Sequence, residues 1–215
     1  MKQYLKIFVS SIFAGLCIAL GATVYLSMLA INQKFIGSLL FGVGLFTIIS
    51  FGLWLYTGKI GFVVNEKTNY LLKLVICFIG NIIGAIILPL INGLTRYKET
   101  LKQTALSLIE TKQSDEWYSI LILSILCGML IYIAVKGQNV CKTNIGKTLI
   151  IFLAVSAFIM SGFEHVIANA SYYAYAQVFD FTVVLYIILM MIGNSIGAII
   201  LEVLYKFITN KKDED

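Results

Sequence analysis

Gly80-Asn-Ile-Ile-Gly-Ala-Ile-Ile-Leu88 returns 113 residues later as Gly193-Asn-Ser-Ile-Gly-Ala-Ile-Ile-Leu201, with eight of nine positions identical. Both copies lie within apolar runs long enough to cross a bilayer, which takes about 20 residues of helix. Each copy follows a run that glycine and polar residues interrupt. The first interruption is Gly52-Leu-Trp-Leu-Tyr-Thr-Gly-Lys-Ile-Gly61 and the second is Ser161-Gly-Phe-Glu-His-Val-Ile-Ala-Asn169. Small-residue motifs recur in membrane helices because they let backbones approach closely. Eight matches in nine point instead to duplication of one unit.

Working outward from the repeat gives six apolar spans, at about 7–30, 36–64, 70–91, 117–135, 149–176 and 181–208. With three spans per half, the halves run in opposite directions through the membrane. The predicted fold is therefore an all-α polytopic membrane protein with six transmembrane helices in an inverted repeat. Helices 2 and 5 are broken, near Leu55–Gly58 and Gly162–His165, a pattern found in transporters and channels. Residues 1–215 read as one transmembrane channel domain, with halves of about 1–92 and 117–208 joined by a polar loop, 93–116. Lys2 and Lys6 ahead of the first run resemble the start of a signal peptide, but the length of the run and the spans after it favour a retained helix.

Composition agrees. The chain is 60% hydrophobic and 13% charged, with a mean hydropathy of +0.92; soluble domains carry about 25% charged residues. These values exclude a disordered chain, a secreted disulfide scaffold and a soluble enzyme. The four cysteines have no metal or redox spacing and read as small buried hydrophobes. There is no Walker motif, dinucleotide fingerprint or nucleophile–base pair, so neither a metal nor a cofactor is expected, and no nucleic-acid partner. Of the 16 Lys and Arg, 11 fall on the side of the two termini and 5 on the other. The positive-inside rule then places both termini in the cytoplasm, in the cytoplasmic membrane of a prokaryote.

Irregular polar backbone at membrane depth is tolerated only where protein or a water-filled cavity surrounds it, and ionisable residues there are functional candidates. The single histidine, His165, lies in the second interruption; its ordinary pKa of about 6.5 suits proton exchange near neutrality. Glu164 either accepts backbone N–H groups or pairs with a lysine. Thr57 is the corresponding polar residue of the first interruption, as a hydrogen-bonding hydroxyl, a helix cap, or both. Asn81 and Asn194 are mid-helix amides suited to interhelical hydrogen bonds, and Asn194 is a candidate to orient His165. Tyr172, Tyr173 and Tyr175 suggest an interfacial anchor.

These residues resemble the formate/nitrite transporter family. Gly162-Phe-Glu-His-Val-Ile-Ala-Asn169 is similar to its central-histidine signature, Leu55-Tyr-Thr57 to its Leu-Phe-Thr loop, and Gly80-Asn81 and Gly193-Asn194 to its two Gly-Asn motifs. The resemblance implies an aquaporin-like subunit in a homopentamer, each protomer with its own pore for small monovalent weak-acid anions such as formate, nitrite or hydrosulfide. It places His165 at the pore centre, with Thr57 facing it, Asn194 close by, and Glu164, Asn169 and Asn81 supporting the motifs. It puts Phe41, Leu45 and Phe158 at an outer apolar constriction, Leu55, Tyr56 and Ile131 at an inner one, and Lys112 in the outer vestibule. Trp54, Tyr56, Gly128 and Ala170 depart from its usual acidic residue, Phe, Asn and Met.

The expected activity is passage of a small anion, or its neutral acid, across the lipid bilayer, linked to protons through His165 and drawn in by Lys112. The alternative is a neutral small-solute pore of aquaporin-like type, whose flux ignores pH.

Overall fold

The computed structural model describes residues 2–210. Lys211, Lys212 and the acidic tail after them, counted above with the termini, lie outside the described residues. Every regular element among the described residues is helical: α1 Lys2–Leu29, α2 Lys34–Ser50, α3 Tyr56–Lys59, a 3-10 segment Ile60–Asn65, α4 Asn69–Asn92, α5 Lys98–Gln113, α6 Trp117–Val140, α7 Asn144–Met160, α8 Val166–Ala176 and α9 Phe181–Asn210. Helices α1, α4, α6 and α9 are long and apolar enough to cross a membrane, whereas α2 and α7 are shorter apolar helices.

The repeat is a packing device. Helix α1 lies against α4, and α6 against α9, close enough that a side chain does not fit between the backbones. A Cβ added at Gly84 would sit 2.1 Å from the Ile12 carbonyl oxygen, and one at Gly197 2.0 Å from that of Ile125. Gly15 and Gly128 meet the carbonyls of Asn81 and Asn194 in the same way, each at 2.2 Å. Each glycine and the carbonyl it meets recur at the spacing of the sequence repeat. An asparagine at position 128, as the family pattern has it, does not fit this crossing.

The apolar runs before the repeats both end in one manner. Gly52 has φ +65° and Gly162 φ +70°, the left-handed conformation that glycine adopts without strain. Gly52 N–H donates to Ile49 and Leu53 N–H to Ile48; Gly162 N–H donates to Ile159 and Phe163 N–H to Phe158. This 5→2 and 6→1 pair is a Schellman stop. The chain runs non-helical to residues 55 and 165, then restarts as α3 and α8. The first interruption thus lies at 51–55, earlier than the expected Leu55–Gly58: Gly52 is the stop signal, and Gly58 sits inside the restarted helix.

Two further expectations change. Segment 93–116, read as a polar loop, carries α5, because Leu101, Ala105 and Ile109 fall on one helical stripe and are buried. Tyr172, Tyr173 and Tyr175 are buried rather than interfacial. All eleven residues of α8 are buried, with α5 packed against it.

Replacing Gly84 or Gly197 with alanine is expected to push its helix pair apart at an overpacking cost of about 1–3 kcal/mol. Thermal unfolding of the detergent-solubilised protein should show a lowered midpoint for each.

Candidate functional site

Each restart leaves backbone groups that helix cannot satisfy, and an asparagine from the neighbouring long helix satisfies them. Asn81 Oδ1 accepts from Tyr56 N–H at 2.7 Å, and its Nδ2 donates to the carbonyls of Ser11 and Trp54 at 2.8 and 2.9 Å. Asn194 Oδ1 accepts from Val166 N–H at 2.9 Å, and its Nδ2 donates to the carbonyls of Ser124 and Glu164, both at 2.8 Å. The amide orientations follow from the chemistry, since each Oδ1 faces a donor and each Nδ2 two acceptors. Asn194 orients His165 through the backbone, gripping the residues on either side of it.

His165 caps α8. Its Nδ1 accepts from Ala168 N–H at 3.1 Å, so the neutral ring carries its hydrogen on Nε2. That nitrogen lies 2.9 Å from Thr57 Oγ1 and donates to it, which leaves the threonine's own hydrogen to be donated elsewhere. The bond joins the two restarts directly. The place of His165 in the first restart is taken by Leu55, with Thr57 two residues further along, so the hydroxyl and the imidazole are partners rather than counterparts.

Apolar groups enclose the bridge. The Phe158 ring stacks on the imidazole with centroids 5.8 Å apart, and Phe41 meets Phe158 edge-on at 6.0 Å. Phe41, Leu45, Phe158, Leu55 and Ile131 are all buried. A cavity of about 320 Å³ reaches His165 on one side, lined also by Phe158, Lys112, Glu164, Asn169 and Tyr172. A second, of about 140 Å³, is lined by Leu45, Leu55, Lys59, Gln138 and Asn139. On α6 the first touches Leu123 and the second Val135, which sets them about 18 Å apart along the helix. Phe41, Tyr56 and Ile131 line neither cavity. The Tyr56 hydroxyl turns away to Ser195 Oγ, 2.9 Å distant.

Lys112 is beside the larger cavity, but it is not a free cation. Its ammonium lies 2.5 Å from both Glu164 carboxylate oxygens, and Asn169 Nδ2 donates to the same carboxylate at 2.8 Å. Of the two roles open to Glu164, pairing with a lysine is the one observed. Trp54, the residue corresponding to Glu164 in the first restart, packs on Tyr70, with the Lys59 ammonium 5.5 Å from its ring centroid. No group of three or more potential metal ligands occurs among the described residues. One ionisable residue inside an apolar run went unread: Glu202, 1% exposed, bonded to Tyr132, Asn65 and Lys136.

Restarted helices meeting at a buried polar pair between two cavities are the architecture of a membrane transport protein. A family model described as Formate/nitrite transporter matches residues 1–208, and the chain belongs to the formate/nitrite transporter family. The formate channel FocA of Haemophilus influenzae is 26% identical over 181 residues, 75% of this chain and 63% of that one. The chain thus covers somewhat under two thirds of that relative's length. A Bacillus subtilis protein named as an uncharacterized transporter, YrhG, is 29% identical over 198 residues, 84% of this chain and 74% of that one. Among solved structures, a pentameric formate channel with formate bound matches with a TM-score of 0.85 at 22% identity, over 97% of this chain and 98% of that one. An FNT family ion channel matches at 0.75 and 19% identity, over 96% and 89%. At these identities the structural likeness establishes the fold.

Asn194→Ala strands one buried N–H, of Val166, and one buried carbonyl, of Glu164, at about 1–3 kcal/mol each; its unfolding midpoint should fall below that of either glycine variant. Lys112→Met should be destabilising by about 3–5 kcal/mol because it leaves the Glu164 carboxylate unpaired, and adding Glu164→Gln should recover much of the loss. Both are read by thermal unfolding in detergent.

Proposed function

We propose that the chain is a channel or transporter for small monovalent weak-acid anions, formate, nitrite or hydrosulfide among them, crossing as the neutral acid. The observation that carries this reading is the His165–Thr57 bridge, enclosed by apolar side chains between two cavities. A bare anion entering such a constriction loses hydration at a cost of several kcal/mol, whereas a protonated acid does not carry that charge. Both ring nitrogens of His165 are engaged, so the acid picks up its proton in the vestibule. The Thr57 hydroxyl then offers it a hydrogen bond midway. His165 links transport to protons by holding that hydroxyl where the neutral acid meets it.

In this reading α1, α2 with α3, α4, α6, α7 with α8, and α9 make six spans of the cytoplasmic membrane, with both termini in the cytoplasm. The chain works as a homopentamer, which the pentameric formate channel of like fold supports. One observation favours the rival reading of a neutral-solute pore: the Lys112 charge is matched by Glu164, so the vestibule attracts anions less strongly than an unpaired lysine would.

Flux into proteoliposomes distinguishes the two. Formate, nitrite, hydrosulfide, acetate and a neutral solute are to be compared across about two pH units around the histidine reference value. The expected outcome is flux of one weak acid that rises as pH falls and is reduced or altered in its pH profile by His165→Asn. Flux that ignores pH and survives that substitution means a neutral-solute pore.

A further inference from the structure

The two restarts are held unequally. Helix α8 has eleven residues, all buried, so apolar packing fixes it along its whole length. The first restart is four residues of α3 and six of 3-10 helix, and beyond Gly61 its side chains are half-buried or exposed. Its near end is fixed by Asn81 and by the Thr57–His165 bond. Its far end has less apolar cover, with Phe62 and Val63 only half-buried against Tyr132 and its neighbours, and no place in the transport site.

That far end meets the buried carboxylate of Glu202 on α9. Asn65 Nδ2, at the last position of the 3-10 segment, donates to Glu202 Oε1 at 2.6 Å. Tyr132 of α6 donates to Oε2 at 2.6 Å, and Lys136 of α6 at 3.2 Å. The Lys136 ammonium also lies over the Phe62 ring of the same segment at 5.5 Å and over Tyr205 at 4.4 Å. A carboxylate that is 1% exposed in an apolar helix is costly unless paired and hydrogen-bonded, and this one has both oxygens occupied. The α6–α9 contact alone accounts for Oε2. Oε1 is given to the 3-10 segment.

We propose that Glu202 is a positioning residue for the inner side of the pore. Through Asn65 it latches the 56–65 segment to α6 and α9, and so keeps Leu55 at the smaller cavity and Thr57 within reach of His165. Its bearing on transport rests on the function proposed above; its hold on the segment does not.

Trp54 stands two residues before the segment and reports it through Lys59, whose ammonium lies over the Trp54 ring. The sequence has two tryptophans, so Trp117→Phe leaves Trp54 as the sole emitter. Iodide quenching of the full chain in detergent should rise at least about twofold with Glu202→Gln, and with Asn65→Ala, which removes only the segment's side of the contact. The double substitution N65D/E202Q exchanges donor and acceptor: the amide at 202 donates to a carboxylate at 65, and its oxygen still accepts from Tyr132 and Lys136. Quenching should return to the parental level.

Weak-acid flux should fall about tenfold with Glu202→Gln and recover in the exchange. Unchanged quenching in both single variants, or increased quenching that the exchange does not reverse, overturns the latch. Loosened quenching with parental flux overturns the positioning role. If the parental chain carries no weak acid but the quenching pattern appears, the latch stands and the transport reading alone fails.

Discussion

The structure depends on how backbone hydrogen bonds are satisfied where two apolar helices stop and start again. In hydrocarbon each unpaired N–H or carbonyl costs several kcal/mol, so such a stop is unstable unless protein encloses and pairs it. One asparagine per half does this, accepting from the first N–H of the restart and donating to the carbonyl just before it, with its other N–H on the crossing helix. To reach the restart, the amide must sit where the long helix crosses its partner at backbone distance. The glycines of the repeat make that crossing possible. The motif Gly-Asn-x-x-Gly is therefore one device: the glycines bring the helices together, and the asparagine uses that closeness to cap a third element.

Charge is arranged on the same frame. Just before the second restart stands Glu164, with its carboxylate matched by Lys112. Before the first restart stands Trp54, and the nearby Lys59 ammonium rests over its ring. The second half thus carries a neutral ion pair at its cavity. The first half has a cation softened only by an aromatic face, an interaction of about 0.5–2 kcal/mol. The absence of the acidic residue at position 54 goes with a lysine five residues on that needs no carboxylate.

Much of this was legible in the sequence. The repeat, the glycine-marked interruptions and the apolar lengths gave the helical membrane fold, because each is a local signal with a fixed physical meaning. His165 and Thr57 were legible as polar groups at depth, and Asn81 and Asn194 as interhelical donors. Other features were not. The first interruption was placed late because Gly52 and Gly58 both look like breakers, and only φ tells them apart. Helix α5 was hidden by polarity: three small or apolar residues at four-residue spacing are enough once α8 lies beneath them. The pairing of Lys112 with Glu164 spans 52 residues, and no local pattern encodes it. Glu202 was visible as a carboxylate within an apolar run, and the rule that flags such residues applied to it as much as to His165.

The two halves share their helix crossings and helix stops and differ in the chemistry placed on them, and the difference gives the site its two sides. At the capping position one half has an imidazole and the other Leu55. The larger cavity therefore reaches an imidazole and the smaller one the Leu55 side chain. A leucine at both positions would leave the buried Thr57 hydroxyl without its imidazole partner. With one of each, a single hydroxyl–imidazole bond bridges the halves, with the Lys112–Glu164 pair in the cavity on one side and Lys59, Gln138 and Asn139 in the cavity on the other. Part of this sidedness needs only a different residue at one capping position in a duplicated frame; the rest comes from Lys112 on α5, outside the repeat.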